Sequence, residues 1–156
     1  MTERRPEAPP LRTAKGDRLS SLVGHRLRLA HLTAVSCFET AFTGLNLTPV
    51  QFAILESIAA HPMQAQNELA ATIRTAPSVL VGSIGKLEKD GLIDRVVDED
   101  RRRFRLALTR PGYAKLQIGR ERIATSERRL TQALSASEVA TLLDLLGRVA
   151  GPASRL

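Results

Sequence analysis

Between Thr48 and Thr109 the chain sets three short helical segments, each with its own start or stop signal, directly ahead of an arginine-rich hairpin. Thr48-Pro49-Val50-Gln51 opens the first. The threonine hydroxyl can accept from free backbone amides, proline suits the first turn, and the Gln51 side chain can accept from the Thr48 amide. Phe52, Leu55, Ile58 and Ala59 form its buried face, and His61-Pro62 ends it. A second helix, from about Ala65 to Ile73, turns Leu69, Ala70 and Ile73 inward. Arg74-Thr75-Ala76-Pro77 repeats the cap-plus-proline pattern, and the third helix runs to Asp90, with Gly91 as its left-handed C-terminal residue. Leu92 to Arg95 and Phe104 to Leu108 then alternate as strands around a charged turn.

That order is the plan of a winged helix-turn-helix within a mainly α (α+β) fold, the lobe spanning residues 48–110. With the third helix in a DNA major groove, Pro77, Ser78, Val81, Gly82 and Lys86 face base edges, with Thr75 just ahead of them, while Leu80, Ile84 and Leu87 face the core. Of the outward set only Ser78 and Lys86 can hydrogen-bond to bases. Pro77 and Val81 suit thymine methyls. Gly82 costs about 1 kcal/mol of helix propensity relative to alanine, which close approach of the backbone to DNA would explain. Gly85 can serve close helix packing. Direct readout is therefore thin, and the wing, Asp100-Arg101-Arg102-Arg103, supplies charge. Phe104, next along the strand, is expected to pack.

The flanking segments differ in kind. Residues 1–16 hold three prolines and four lysines or arginines with few large apolar groups, and are expected to form a mobile basic arm; residues 152–156 form a tail. From Asp17 to Leu45 apolar residues recur every three or four positions, the pattern of one helix about 40 Å long at roughly 1.5 Å per residue. Residues 17–47 are expected to be an N-terminal dimerisation helix, with Leu19 and Val23 in its seam. Residues 111–151 carry two further helices. One has the stripe Tyr113, Leu116, Ile123, Leu130 and Leu134; the other opens on the capping box Ser135-Ala136-Ser137-Glu138 and bears Val139, Leu142, Leu143, Leu146 and Val149. Leu130, Leu134, Leu142 and Leu146 are assigned to the dimer seam.

A chain of 156 residues is long enough for one real core. Its 23 lysines and arginines against 16 acids, a formal charge of +7, favour a polyanionic partner. Cys37 is the single cysteine, so neither an intrachain disulfide nor a thiolate metal site can be assembled from this chain alone. There is no apolar run of membrane-spanning length and no signal-peptide pattern, so the expectation is a cytoplasmic, nucleoid-associated protein without membrane contact. His25, His31 and His61 lack metal spacing, and neither a phosphate loop nor a triad order is present. The chain is therefore expected not to be an enzyme and to carry no cofactor and no metal.

The segments Leu47 to Leu55, Asn67-Glu68-Leu69-Ala70, Leu87 to Arg95, and Asp100-Arg101-Arg102 with Leu108-Thr109, in this order, resemble the multiple antibiotic resistance regulator (MarR) family of bacterial transcription factors. The likeness spans about Leu19 to Val149. It implies a homodimer joined by its N- and C-terminal helices, with two winged lobes on a pseudo-palindromic double-stranded operator. It also implies a repressor released by a small molecule, often a phenolic or aromatic acid, bound between the dimerisation helices and the lobe. By the same resemblance Asp100 pairs with a nearby arginine and Arg101 or Arg102 reaches the minor groove.

The implied effector pocket would draw on Arg28, His31 and Phe38 of the first helix and Phe52 and Glu56 of the second. Aromatics make up only 3% of the chain, so aliphatic walls must do most of the enclosing, and Arg26 with Arg28 would also suit the phosphates of a coenzyme A thioester. Two other readings stand beside this one. Some relatives sense peroxide through a first-helix cysteine, a role for Cys37, although its neighbours supply no charge to activate it and a buried structural thiol is the simpler reading. The other is a winged-helix protein-interaction module that does not read DNA sequence.

Overall fold

The computed structural model describes residues 18–97 and 104–151. The chain divides after Thr33 into two compact units. The described part of the first holds a 3-10 turn, Leu19–Ser21, and the start of helix α1 (Val23–Ala41). This corrects the expected helix in both directions. Leu22 is extended (φ −84°, ψ 121°) and breaks the helix from the turn before it. At the other end Gly44, at φ +78°, and Asn46, at φ +52°, turn the chain before Leu45 can continue the stripe. Nineteen residues give about 28 Å, not 40 Å.

The second unit contains α2 (Pro49–Ala60), β1 (Gln64–Ala65), α3 (Gln66–Ile73), α4 (Pro77–Lys89), β2 (Ile93–Val97), β3 (Phe104–Leu108), α5 (Arg110–Leu130) and α6 (Ala136–Ala150). The capping box at Thr48 forms as read, Thr48 Oγ1 accepting from the Gln51 amide and Gln51 Oε1 from the Thr48 amide. Ser135 and Glu138 do the same for α6. The glycine after α4, Gly91, takes φ +68° and lets Leu92 N donate back to Leu87 O at 2.9 Å. The start of α4 differs from the expected pattern. Pro77 does lead the helix, which makes Ala76 the cap, and alanine has no side-chain acceptor.

Strands β2 and β3 pair antiparallel from Ile93 opposite Leu108 to Val97 opposite Phe104. A strand not foreseen, β1, pairs with the other edge of β3, giving the order β1-β3-β2. It is held from below by a buried bond in which Ser57 Oγ of α2 donates to Gln64 Oε1 at 2.9 Å. Under the sheet, Ile54, Leu55 and Ile58 of α2 meet Leu69, Leu80, Ile84, Leu87, Ile93, Leu106 and Leu116 in one core. Burying aliphatic side chains at roughly 1.5 to 3 kcal/mol each is the main force holding the lobe together. Thr109 closes it: its hydroxyl donates to Gly91 O at 2.7 Å and accepts from Gly112 N at 3.0 Å.

Candidate nucleic-acid interface

Helix α4 divides cleanly into two faces. Leu80, Ile84 and Leu87 are buried in the core, while Pro77, Ser78, Val81, Gly82 and Lys86 are exposed, as the spacing predicts. Three exposed positions were missed. Val79 flanks the face, and at 100° per residue the line most opposite the core runs Ser78, Gly82, Gly85, Lys89. Among the described residues no atom lies within 4 Å of a Cβ built on Gly82 or Gly85, so Gly85 serves no close helix packing there. The middle of the outward face is bare backbone. Lys86 is not a free cation: its ammonium lies 2.9 Å from both Asp90 carboxylate oxygens, beside a groove that also reaches Thr48 and Lys115.

The turn into α4 is fixed from outside the lobe's core. Arg74 takes a left-handed backbone, φ 51°, and its fork donates to Ala150 O and Gly151 O at the end of α6, both at 3.0 Å. This contact was invisible in the sequence because its partners lie 76 and 77 residues away. Thr75 is half-buried between Arg74 and the cap residue.

Of the wing, Asp100, Arg101, Arg102 and Arg103 lie outside the described residues. The strands leading to them are described. Arg95 of β2 binds Glu88 of α4 through both carboxylate oxygens, and that hydrogen-bonded carboxylate raises the guanidinium above its ordinary pKa. Arg105 of β3 faces α3 instead, 3.8 Å from Glu68 Oε2. Phe104 does not pack as expected. At the sheet's end, opposite Val97, it is 54% exposed.

Residues 47–104 match the MarR family model. A transcriptional regulatory protein assigned to the hcr operon of Thauera aromatica is 32% identical over 129 residues, which cover 81% of this chain and 78% of that protein. The chain belongs to the MarR family. The solved repressor CouR, bound to a 23-mer DNA duplex, superimposes with a TM-score of 0.83 at 33% identity, covering 89% of this chain and 99% of that one. The same repressor bound to p-coumaroyl-CoA gives 0.79 at 32% identity over 88% and 98%.

The residues expected at a MarR effector pocket meet different fates. Phe38 and Phe42 stack at 3.8 Å between centroids, and Phe52 meets Phe42 edge-on at 5.3 Å, so these rings fill one another's space. Phe38 is buried and Phe52 half-buried. Glu56 is clamped by Arg120 of α5, at 2.8 Å and 2.9 Å, and its hydrogen bonds hold Arg120 above the ordinary arginine pKa. Arg28 and His31 are exposed on the first unit.

The residues that the sequence assigns to a dimer seam are largely uncovered. Leu19, Val23, Leu134, Leu142 and Leu146 are exposed and Leu130 is half-buried; Leu143, Leu145 and Val149 extend the exposed apolar face of α6, which has no buried residue. On α5, the stripe holds at Leu116 and Ile123, but Tyr113 is exposed. Its place is taken by Gly112 and Gly119, which are buried against Leu92 and Phe52. Cys37 is buried, as the structural reading of the thiol expects. No helix among the described residues is long and apolar enough to cross a membrane.

Proposed function

We propose that this MarR-family protein is a homodimeric repressor that sets two copies of α4 into successive major grooves of a pseudo-palindromic operator and releases it on binding an aromatic acid or its coenzyme A thioester. The observation that carries the reading is the divided α4. A helix anchored by Leu80, Ile84 and Leu87 presents Pro77, Ser78, Val81 and Gly82 to solvent at its N-terminal turns, the part that reaches base edges in helix-turn-helix docking. The DNA-bound CouR likeness supports it. Thr75 and Lys86 flank the reading face, and Asp100, Arg101, Arg102 and Arg103 supply phosphate and minor-groove contacts.

Dimerisation is supported by the apolar face of α6, which a monomer would leave in water. For the effector, the residues proposed are Arg28 and His31, a cation and an imidazole, together with Phe38, Phe52 and Glu56, the last already paired with Arg120. CouR bound to p-coumaroyl-CoA supports the thioester class.

The test is an electrophoretic shift with the DNA flanking the protein's own gene. A specific complex dissolved by p-coumaroyl-CoA or another aromatic acyl-CoA is expected. Binding no stronger than to random DNA would favour the protein-interaction reading, and a specific complex indifferent to these thioesters would remove the effector assignment alone.

A further inference from the structure

The second half of α1 and the facing turns of α5 border a half-open cavity of about 220 Å³ that shares no residue with the effector site above. Thr40, Ala41 and Cys37 line one side; Arg122, Ser126 and Arg129 line the other. Ser126 is only 3% exposed, and its hydroxyl, which opens onto the cavity, has no hydrogen-bond partner among the described residues. A hydroxyl that opens onto a cavity and has no partner among the described residues is free to donate to a bound molecule.

The charge of the lining says what. Two guanidiniums border the cavity and no carboxylate does. Arg122 uses one nitrogen on Ala41 O at 2.9 Å, leaving the rest of its fork, and the Arg129 side chain has neither hydrogen bond nor ion pair among the described residues. The two stand seven residues apart on α5, about 10.5 Å along the axis at roughly 1.5 Å per residue, with Ser126 between them. Guanidinium forks match carboxylates in a planar, two-pronged fashion. The Cys37 sulfur and Ala41 methyl between the polar groups suit a short carbon skeleton rather than a bare inorganic ion.

We propose that this cavity binds a small aliphatic dicarboxylate. One carboxylate meets Arg122, the other meets Arg129, and Ser126 donates its hydroxyl to the nearer oxygen.

Calorimetric titration of the full-length protein with succinate tests this, with acetate and inorganic phosphate as comparison probes. Saturable succinate binding is expected, at least about tenfold tighter than either comparison, a difference of about 1.4 kcal/mol. Arg129→Gln, at an exposed position where folding is not at risk, and Ser126→Ala should each weaken it, the former by about tenfold. Arg110→Ala, an exposed arginine at the start of α5 that does not line the cavity, should leave it unchanged. Absence of saturable succinate binding, phosphate binding as tightly as succinate, or full affinity in Arg129→Gln would each overturn the proposal.

Discussion

Arg95 on strand β2 grips Glu88 on the last turn of α4 through both carboxylate oxygens, joining that strand to the helix proposed to enter the major groove. Arg95 is 39% exposed and Glu88 27%, so the pair contributes little to stability, about 1 kcal/mol or less. Its value is geometric. Glu88→Gln should move the urea midpoint only slightly while weakening operator binding several-fold, read by equilibrium unfolding and fluorescence anisotropy on the same protein. Unfolding and binding falling together would mean that the pair only supports the fold.

Glycine substitutions separate packing from docking. A Cβ on Gly112 would lie 1.9 Å from the Leu92 carbonyl oxygen, in backbone that cannot swing aside, so Gly112→Ala should cost about 1 to 3 kcal/mol in urea unfolding. At Gly82 a Cβ meets open space, and alanine should stabilise the helix by up to about 1 kcal/mol. The same Gly82→Ala should weaken specific DNA binding if the backbone approaches base edges there. A more stable variant that binds as well as the parent would show that the glycine is merely tolerated.

What could be read along the chain was whatever depends on neighbours a few residues away. The Thr48 and Ser135 capping boxes, Pro77 at the head of α4 and Gly91 behind it are local backbone chemistry, and each stands where the spacing put it. The errors arise where distance in sequence hides the partner. Strand β1 has two residues and exists through pairing with β3 and through Ser57, so no alternation could reveal it. Glu56 looked free for a ligand until Arg120, 64 residues on, closed on it. In α1 the apolar period runs on past Gly44, whose positive φ ends the helical path and is not marked by any change in that period. Of the candidate DNA face, five exposed α4 residues were legible, whereas the Arg74 anchor on α6 was not.

Acid should loosen α6 at its start. The Ser135 amide and then its hydroxyl donate to Glu138, holding that carboxyl below its ordinary pKa of 4.5. A lowered folded-state pKa contributes stability that is complete above 4.5 and lost as pH falls through the folded value. Helicity followed by circular dichroism should therefore decline below pH 4.5 less steeply in Glu138→Gln than in the parent. Identical acid profiles would remove Glu138 from the pH response.

The face of α6 gives a solution test. Leu143 is 65% exposed and Leu142 and Leu146 stand beside it, so a charge at the centre should disrupt a dimer without touching a buried core. Sedimentation equilibrium should find the parent dimeric and Leu143→Glu shifted toward monomer, with operator affinity falling alongside. A dimeric Leu143→Glu protein would move the seam elsewhere.

The central claim is that α4 offers a small, weakly hydrogen-bonding surface and that the arginines of the wing carry most of the binding. Operator affinity measured across a salt series for the parent, Ser78→Ala and the double variant Arg101→Ala/Arg102→Ala tests it most directly. The account predicts that the double variant loses affinity and flattens the slope of log affinity against log salt by about 0.9 for each phosphate contact removed. Ser78→Ala should lower specific affinity by a similar factor at every salt concentration and keep the parent slope. An unchanged slope in the double variant, with Ser78→Ala the more damaging change, would contradict it.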